Sequence, residues 1–133
     1  MDYKLEVITL AVTDVDAASA FYTSLGFNLD VDYHPRDGFR VVQFTPPGSA
    51  CSIQFGEGLS DASPGSARAN YLVVADIEAA HQELVARGIK VGDIRHKTPI
   101  DTWAGDFAPG ADPERRRGSS RLIRRSVGLG GSW

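Results

Sequence analysis

Few residues of this 133-residue chain have the types and spacing to do chemistry. A catalytic metal needs several imidazole or carboxylate ligands converging from different elements, with positions left open for substrate oxygens. The three histidines, His34, His81 and His96, are far apart, and no His-x-His or His-Glu spacing sets a second ligand beside any of them. His81 falls on a helical stretch between residues patterned as exposed, so a solvated histidine is expected there. His34 and His96 fall near strand ends. Cys51 opens a strand beside Ser52 with no neighbouring base, which reads as a small buried or half-buried residue rather than a nucleophile. The glycines of "GEG" and "GLGG" lack the strand-loop-helix context of a phosphate cradle.

The elements that must position these residues are written twice. "LAVTDVDAASAFYTSLGF" runs from Leu10 to Phe27, and "LVVADIEAAHQELVARGI" runs from Leu72 to Ile89 in the same register without a gap. Matched Leu, Val, Asp, Ala-Ala and Gly positions point to an internal duplication. Each copy reads as strand, helix, strand. Asp14 and Asp76 are the expected helix caps, and Gly26 and Gly88 the expected stops. In the first copy a turn at "HPRDG" leads to the strand "FRVVQFT", and "PPGSA" leads to "CSIQFGEG".

The spacing thus predicts a first βαβββ module over residues 1–56, a small-residue linker over 57–68 and a second module over 69–114. In the second, "IKVGDIRH" reads as a strand and "KTPIDTWAGDFAPGADPERRR" as a long loop. Residues 115–133 read as an irregular tail rich in Arg and Gly, contributing at most one irregular strand.

Composition sets outer limits. With 42% hydrophobic and 23% charged residues, the chain suits a globular α+β protein. A single cysteine permits no internal disulfide and no cysteine zinc cluster, in keeping with the cytoplasm. No stretch approaches a membrane span or a signal peptide. All 17 acids lie in residues 1–114 with 8 of the 14 bases, and residues 115–133 hold the other 6 bases. The arginine cluster contains no aromatic residue, so a solvated tail is preferred to a nucleic-acid or anionic-membrane patch.

On the residues of the two copies, the chain resembles the vicinal oxygen chelate superfamily, which includes glyoxalase I, extradiol dioxygenases and bleomycin-resistance proteins. "LAVTDVDAASAFYTSLGF" is close to that family's L-x-V-x-D…FY…LGF signature, and "FRVVQFTPPGSACSIQFGEG" resembles its third and fourth strands. The resemblance implies two βαβββ modules whose curled mixed sheets face a cavity, the second module here being incomplete. In the family's enzymes a divalent metal sits in that cavity. The resemblance puts Val7 and Ala69 at two of the ligand positions, and Gln54 where the third strand-borne carboxylate belongs. None of the three is a metal ligand of the required kind, so no metal and no other cofactor is expected.

Alternation places Val7, Thr9 and Ala11 on the sheet face away from the helix, with Gln54 and Ser52, and places Ala69, Tyr71 and Val73 likewise in the second module. Val7, Thr9, Gln54, Tyr71 and, from the long loop, Trp103 as a lid are therefore the candidate ligand-binding residues; the alternatives are that this face packs shut or makes a dimer contact and that Trp103 only anchors its loop. The expected function is metal-free binding of a small organic molecule by a cytoplasmic homodimer. The alternatives are a metal-dependent lyase or dioxygenase of the same superfamily, and an inactive, truncated member.

Overall fold

The computed structural model describes residues 1–67, 70–113 and 123–125. The chain divides into two compact units, the first built on Met1–Asn70 and the second on Tyr71–Val127. It is a mixed α+β protein. Among the described residues, no helix is long and apolar enough to cross a membrane.

The first unit contains β1 (Val7–Thr9), α1 (Val15–Ser24), β2 (Asn28–Arg36), β3 (Phe39–Thr45) and β4 (Ser52–Glu57). Its strands make one open sheet in the order β1-β4-β3-β2, with β1 parallel to β4 and the other neighbours antiparallel. The Asp14 carboxylate accepts the Ala17 N–H at 2.9 Å and starts α1. Gly26, at φ 81°, turns the chain out of the helix where a side chain would be strained.

Val15, Ala18, Tyr22 and Leu25 recur at helical spacing and are buried against Val42, Phe44, Ile53 and Phe55. Tyr22 is the centre of this core, with its ring 5.6–5.9 Å from those of Phe55, Phe27 and Phe44. Burial raises its phenol pKa above the usual range.

Arg40 ties the layers together. Its guanidinium grips Asp32 on β2 with two bonds of 2.9 and 3.0 Å and reaches Asp16 on α1 at 2.9 Å. The hydrogen bonds from Arg40, helped by its charge and by His34, hold the Asp32 carboxyl below its usual pKa against a smaller opposing effect of burial. Bidentate geometry of this kind fixes orientation as well as energy.

One boundary expected in this unit is wrong. "HPR" belongs to β2, whose ladder continues to the pair Arg36–Phe39. Only Asp37 and Gly38 make the turn, with Gly38 at φ 80°. Asp-Gly is a strong two-residue hairpin signal, and it outweighs the proline two residues before it.

The second unit contains β5 (Leu72–Val74), α2 (Ile77–Ala86), β6 (Arg95–Lys97), β7 (Phe107–Pro109) and β8 (Ile123–Arg125). Asp76 caps α2, its carboxylate accepting the Glu78 and Ala79 N–H groups at 3.0 Å. No residue of α2 is buried. The strands form two separate antiparallel pairs, β5 with β8 and β6 with β7.

Two expectations change here. Of "IKVGDIRH" only the end is strand, because Gly92 and Asp93 interrupt the extended run. The long loop contains β7, which returns beside β6; the Thr98 N–H reaches the Asp106 carbonyl at 3.2 Å and extends that ladder. Within the arginine-rich tail, Ile123–Arg125 forms one short strand on β5, no more than the single strand expected there. The rest of residues 115–133 lies outside the described residues.

Candidate functional site

The first sheet has a covered face and an open one. The register sets Val42, Phe44, Ile53 and Phe55 under α1, so their alternating neighbours point the other way. Val7 pairs with Ser52 and Thr9 with Gln54 across β1 and β4, and Gln54 pairs with Gln43 on β3. The Gln54 side-chain amide donates to the Thr9 hydroxyl at 2.9 Å. Leu10, in the opposite phase, is buried in the core.

The face continues onto β2 through a device that alternation alone does not reveal. A bulge between Leu29 and Val31 shifts the β2–β3 register, so Val31 lies opposite Gln43 and Tyr33 opposite Val41. Without that extra residue Val31 would lie opposite Val42, on the helix side. Bulges re-aim side chains in this way. Val31 is 39% and Tyr33 56% exposed, large apolar surfaces on the edge strand with Gln43 of β3 between Val31 and the Thr9–Gln54 pair. Thr45 closes one end of the face, hydrogen-bonded to Asp30 and at 2.6 Å to Ser52. The open face therefore also carries Val31, Tyr33, Val41 and Gln43, which sequence reasoning missed.

Ala11 departs from its expected place. With Leu10 and Val12 it lines a separate groove of about 110 Å³ against Gly56, Leu59 and Pro64. Ligand pockets for organic molecules run to about 300–1,000 Å³. That groove is too small.

Tyr71 and Trp103 lie in the second unit. Tyr71 precedes β5 and is 46% exposed, and Trp103 lies between β6 and β7 and is 37% exposed. The Lys97 ammonium brings them into one cluster, 3.9 Å from the Trp103 ring centre and 5.9 Å from that of Tyr71. Ala69 is outside the described residues.

His81 is not the solvated side chain expected: it is half-buried and its Nε2 lies 3.1 Å from the Gly92 carbonyl. His96 holds the Gly110 carbonyl through Nδ1 at 2.9 Å. Cys51 is half-buried, with its thiol 3.5 Å from the Ser52 carbonyl.

The donor set does not fit a divalent metal. Val7 offers no lone pair, and the Gln54 amide is a neutral group already donating to Thr9. Among the described residues no three His, Cys, Asp or Glu side chains gather where they could hold an ion.

Comparison with proteins of curated function returned no match. Among solved structures the chain is similar to TnmS3, an antibiotic binding protein from Streptomyces sp. CB03234, at 29% identity. That match covers 74% of this chain and 80% of the other, with a TM-score of 0.61. It is similar at 28% identity to a glyoxalase/bleomycin resistance protein from the same organism (72% and 83% covered, TM-score 0.57). A member of the same superfamily from Sphaerobacter thermophilus DSM 20745 matches at 25% identity (74% and 82% covered, TM-score 0.60). The family model for this superfamily matches residues 4–110, most of the chain. A curled, open α+β sheet behind a capped helix agrees with that match, and the chain belongs to the glyoxalase/bleomycin resistance protein/dioxygenase superfamily.

Proposed function

We propose that the protein binds a small organic molecule without a metal ion. The observation that carries this reading is the open face of the first sheet. Exposed Val31 and Tyr33 lie on its β2 edge, and a row of polar side chains crosses the same face from Gln43 beside Val31 through Gln54 to Thr9, a composition suited to an apolar or aromatic compound held by a few oriented polar contacts. The likeness to an antibiotic binding protein supports an antibiotic-sized ligand. Within the second unit, Tyr71 and Trp103 are ring surfaces on which a small aromatic molecule could also rest. A cytoplasmic homodimer belongs to the same reading. A lone cysteine supports the compartment, and β2 supports the dimer as an edge strand exposed along its whole length.

The test is a thermal-shift panel of aromatic antibiotics, small aromatics and dicarbonyl compounds, run with and without EDTA. Stabilisation that survives EDTA and is lost in Tyr33→Ala and Gln54→Ala is the expected result. Stabilisation that requires added metal would refute the reading.

A further inference from the structure

The β6–β7 hairpin carries charge that the sheet-face reading does not use. Arg95 and Lys97 flank His96, so both project from one face of β6, and the register sets Lys97 opposite Phe107. The Arg95 guanidinium stands 3.9 Å over the Phe107 ring, as the Lys97 ammonium stands over Trp103. Trp103 meets Phe107 edge-on at 5.5 Å, and its indole N–H donates to the Asp106 carbonyl at 2.6 Å. Among the described residues the ion pairs are those of Arg40 and Arg87, and none involves Arg95 or Lys97. This is notable where residues 1–114 hold 17 acids against 8 bases. Two cations are held on ring faces instead of being neutralised.

A cation resting on a ring keeps its outward N–H groups available to an acceptor. We propose that this hairpin selects planar aromatic ligands bearing a carboxylate or sulfonate. The ligand ring packs on Tyr71, Trp103 or Phe107, and Lys97 and Arg95 hold the anion by charge-assisted hydrogen bonds. The proposal rests on the small-molecule reading and adds the ligand's charge. A single-stranded nucleic acid also combines rings with anions, but two cations beside three rings make a footprint nearer to one small molecule than to a strand.

The test titrates the full chain with 2-naphthoate and its neutral counterpart 2-naphthamide, alongside the neutral compounds of the panel. The acid should bind about tenfold more tightly than the amide, and the ratio should fall toward one as salt rises. Lys97→Met should lower the ratio of acid to amide binding, with Arg95 left to hold the anion alone; Lys97→Arg should keep the preference. Trp103→Ala should weaken both. The salt series on the unaltered protein decides the matter even if a variant fails to fold. Equal binding of acid and amide overturns the proposal and leaves the small-molecule reading standing, as does binding of neutral panel compounds alone. If no compound binds, both fail. A thymidine oligonucleotide that displaces naphthoate at lower concentration overturns the proposal in favour of nucleic acid.

Discussion

Gly56 offers a sharp test of the first sheet, because its missing side chain is a structural requirement. A Cβ built there would lie 1.8 Å from the Arg40 carbonyl oxygen and 2.7 Å from its carbon, both backbone atoms that cannot swing aside. Gly56→Ala must therefore push β3 and β4 apart until that gap passes 3.0 Å. The pairs nearest the insertion, Arg40–Glu57 and Val41–Gly56, are the ones that part. Losing about two backbone hydrogen bonds at ~1 kcal/mol each, with ~1–2 kcal/mol of packing strain, gives a cost near 3 kcal/mol. For a chain of this size that is a fall in Tm of about 10 °C. Arg40 would also be displaced from Asp16 and Asp32, so the loss should be cooperative. Circular dichroism melts and urea titrations of Gly56→Ala beside Gly92→Ala measure it. Gly92 has nothing within 4 Å of its would-be Cβ and serves as the control. Equal midpoints for the two variants would refute the close approach and with it the β3–β4 register.

Other predictions follow from the same geometry. Gln54→Glu restores a carboxylate, yet Val7 still offers no ligand, so both the parent protein and this variant should carry no stoichiometric Ni, Zn, Fe or Mn by elemental analysis after dialysis. Arg40→Met should destabilise at neutral pH. Because the pKa of Asp32 is lowered in the folded state, its share of that stability is present above the unfolded carboxyl pKa and lost as pH falls through the folded one. The gap between parent and variant should therefore narrow below about pH 4 in acid titrations of unfolding. Ending the chain at Glu114 removes β8 and unpairs Leu72–Val74. Those amides should lose protection in hydrogen exchange while the amides of α1 and β4 keep theirs.

The local grammar of the chain was legible. Asp14 and Asp76 cap the helices, and period-two alternation put Thr9 and Gln54 on one face. What failed did so where composition hides geometry. A bulge at Leu29–Val31 leaves no mark on alternation until the partner strand is known. β7 lies in a Pro- and Gly-rich stretch, and it is only three residues long and extended by virtue of a partner strand. His81 was read from its neighbours' polarity, yet its ring finds the Gly92 carbonyl eleven residues on. The Lys97–Trp103 contact depends on a loop closing, which spacing along the chain does not encode.

The uneven placement of the core bears on how this protein can change. Among the described residues every buried side chain lies between Leu10 and Phe55. Truncating one of the larger of them to Ala costs about 2–5 kcal/mol, a large fraction of the stability of an ordinary domain. Exposed positions, by contrast, usually tolerate replacement within ±0.5 kcal/mol. Tyr71, Trp103 and Phe107 are all more than a third exposed. A lineage can therefore rewrite those rings, and the cations beside them, at little thermodynamic risk while α1 and its sheet stay fixed. Mutation is cheap on the hairpin and expensive in the core, so ligand preference can diverge among descendants long before their fold does.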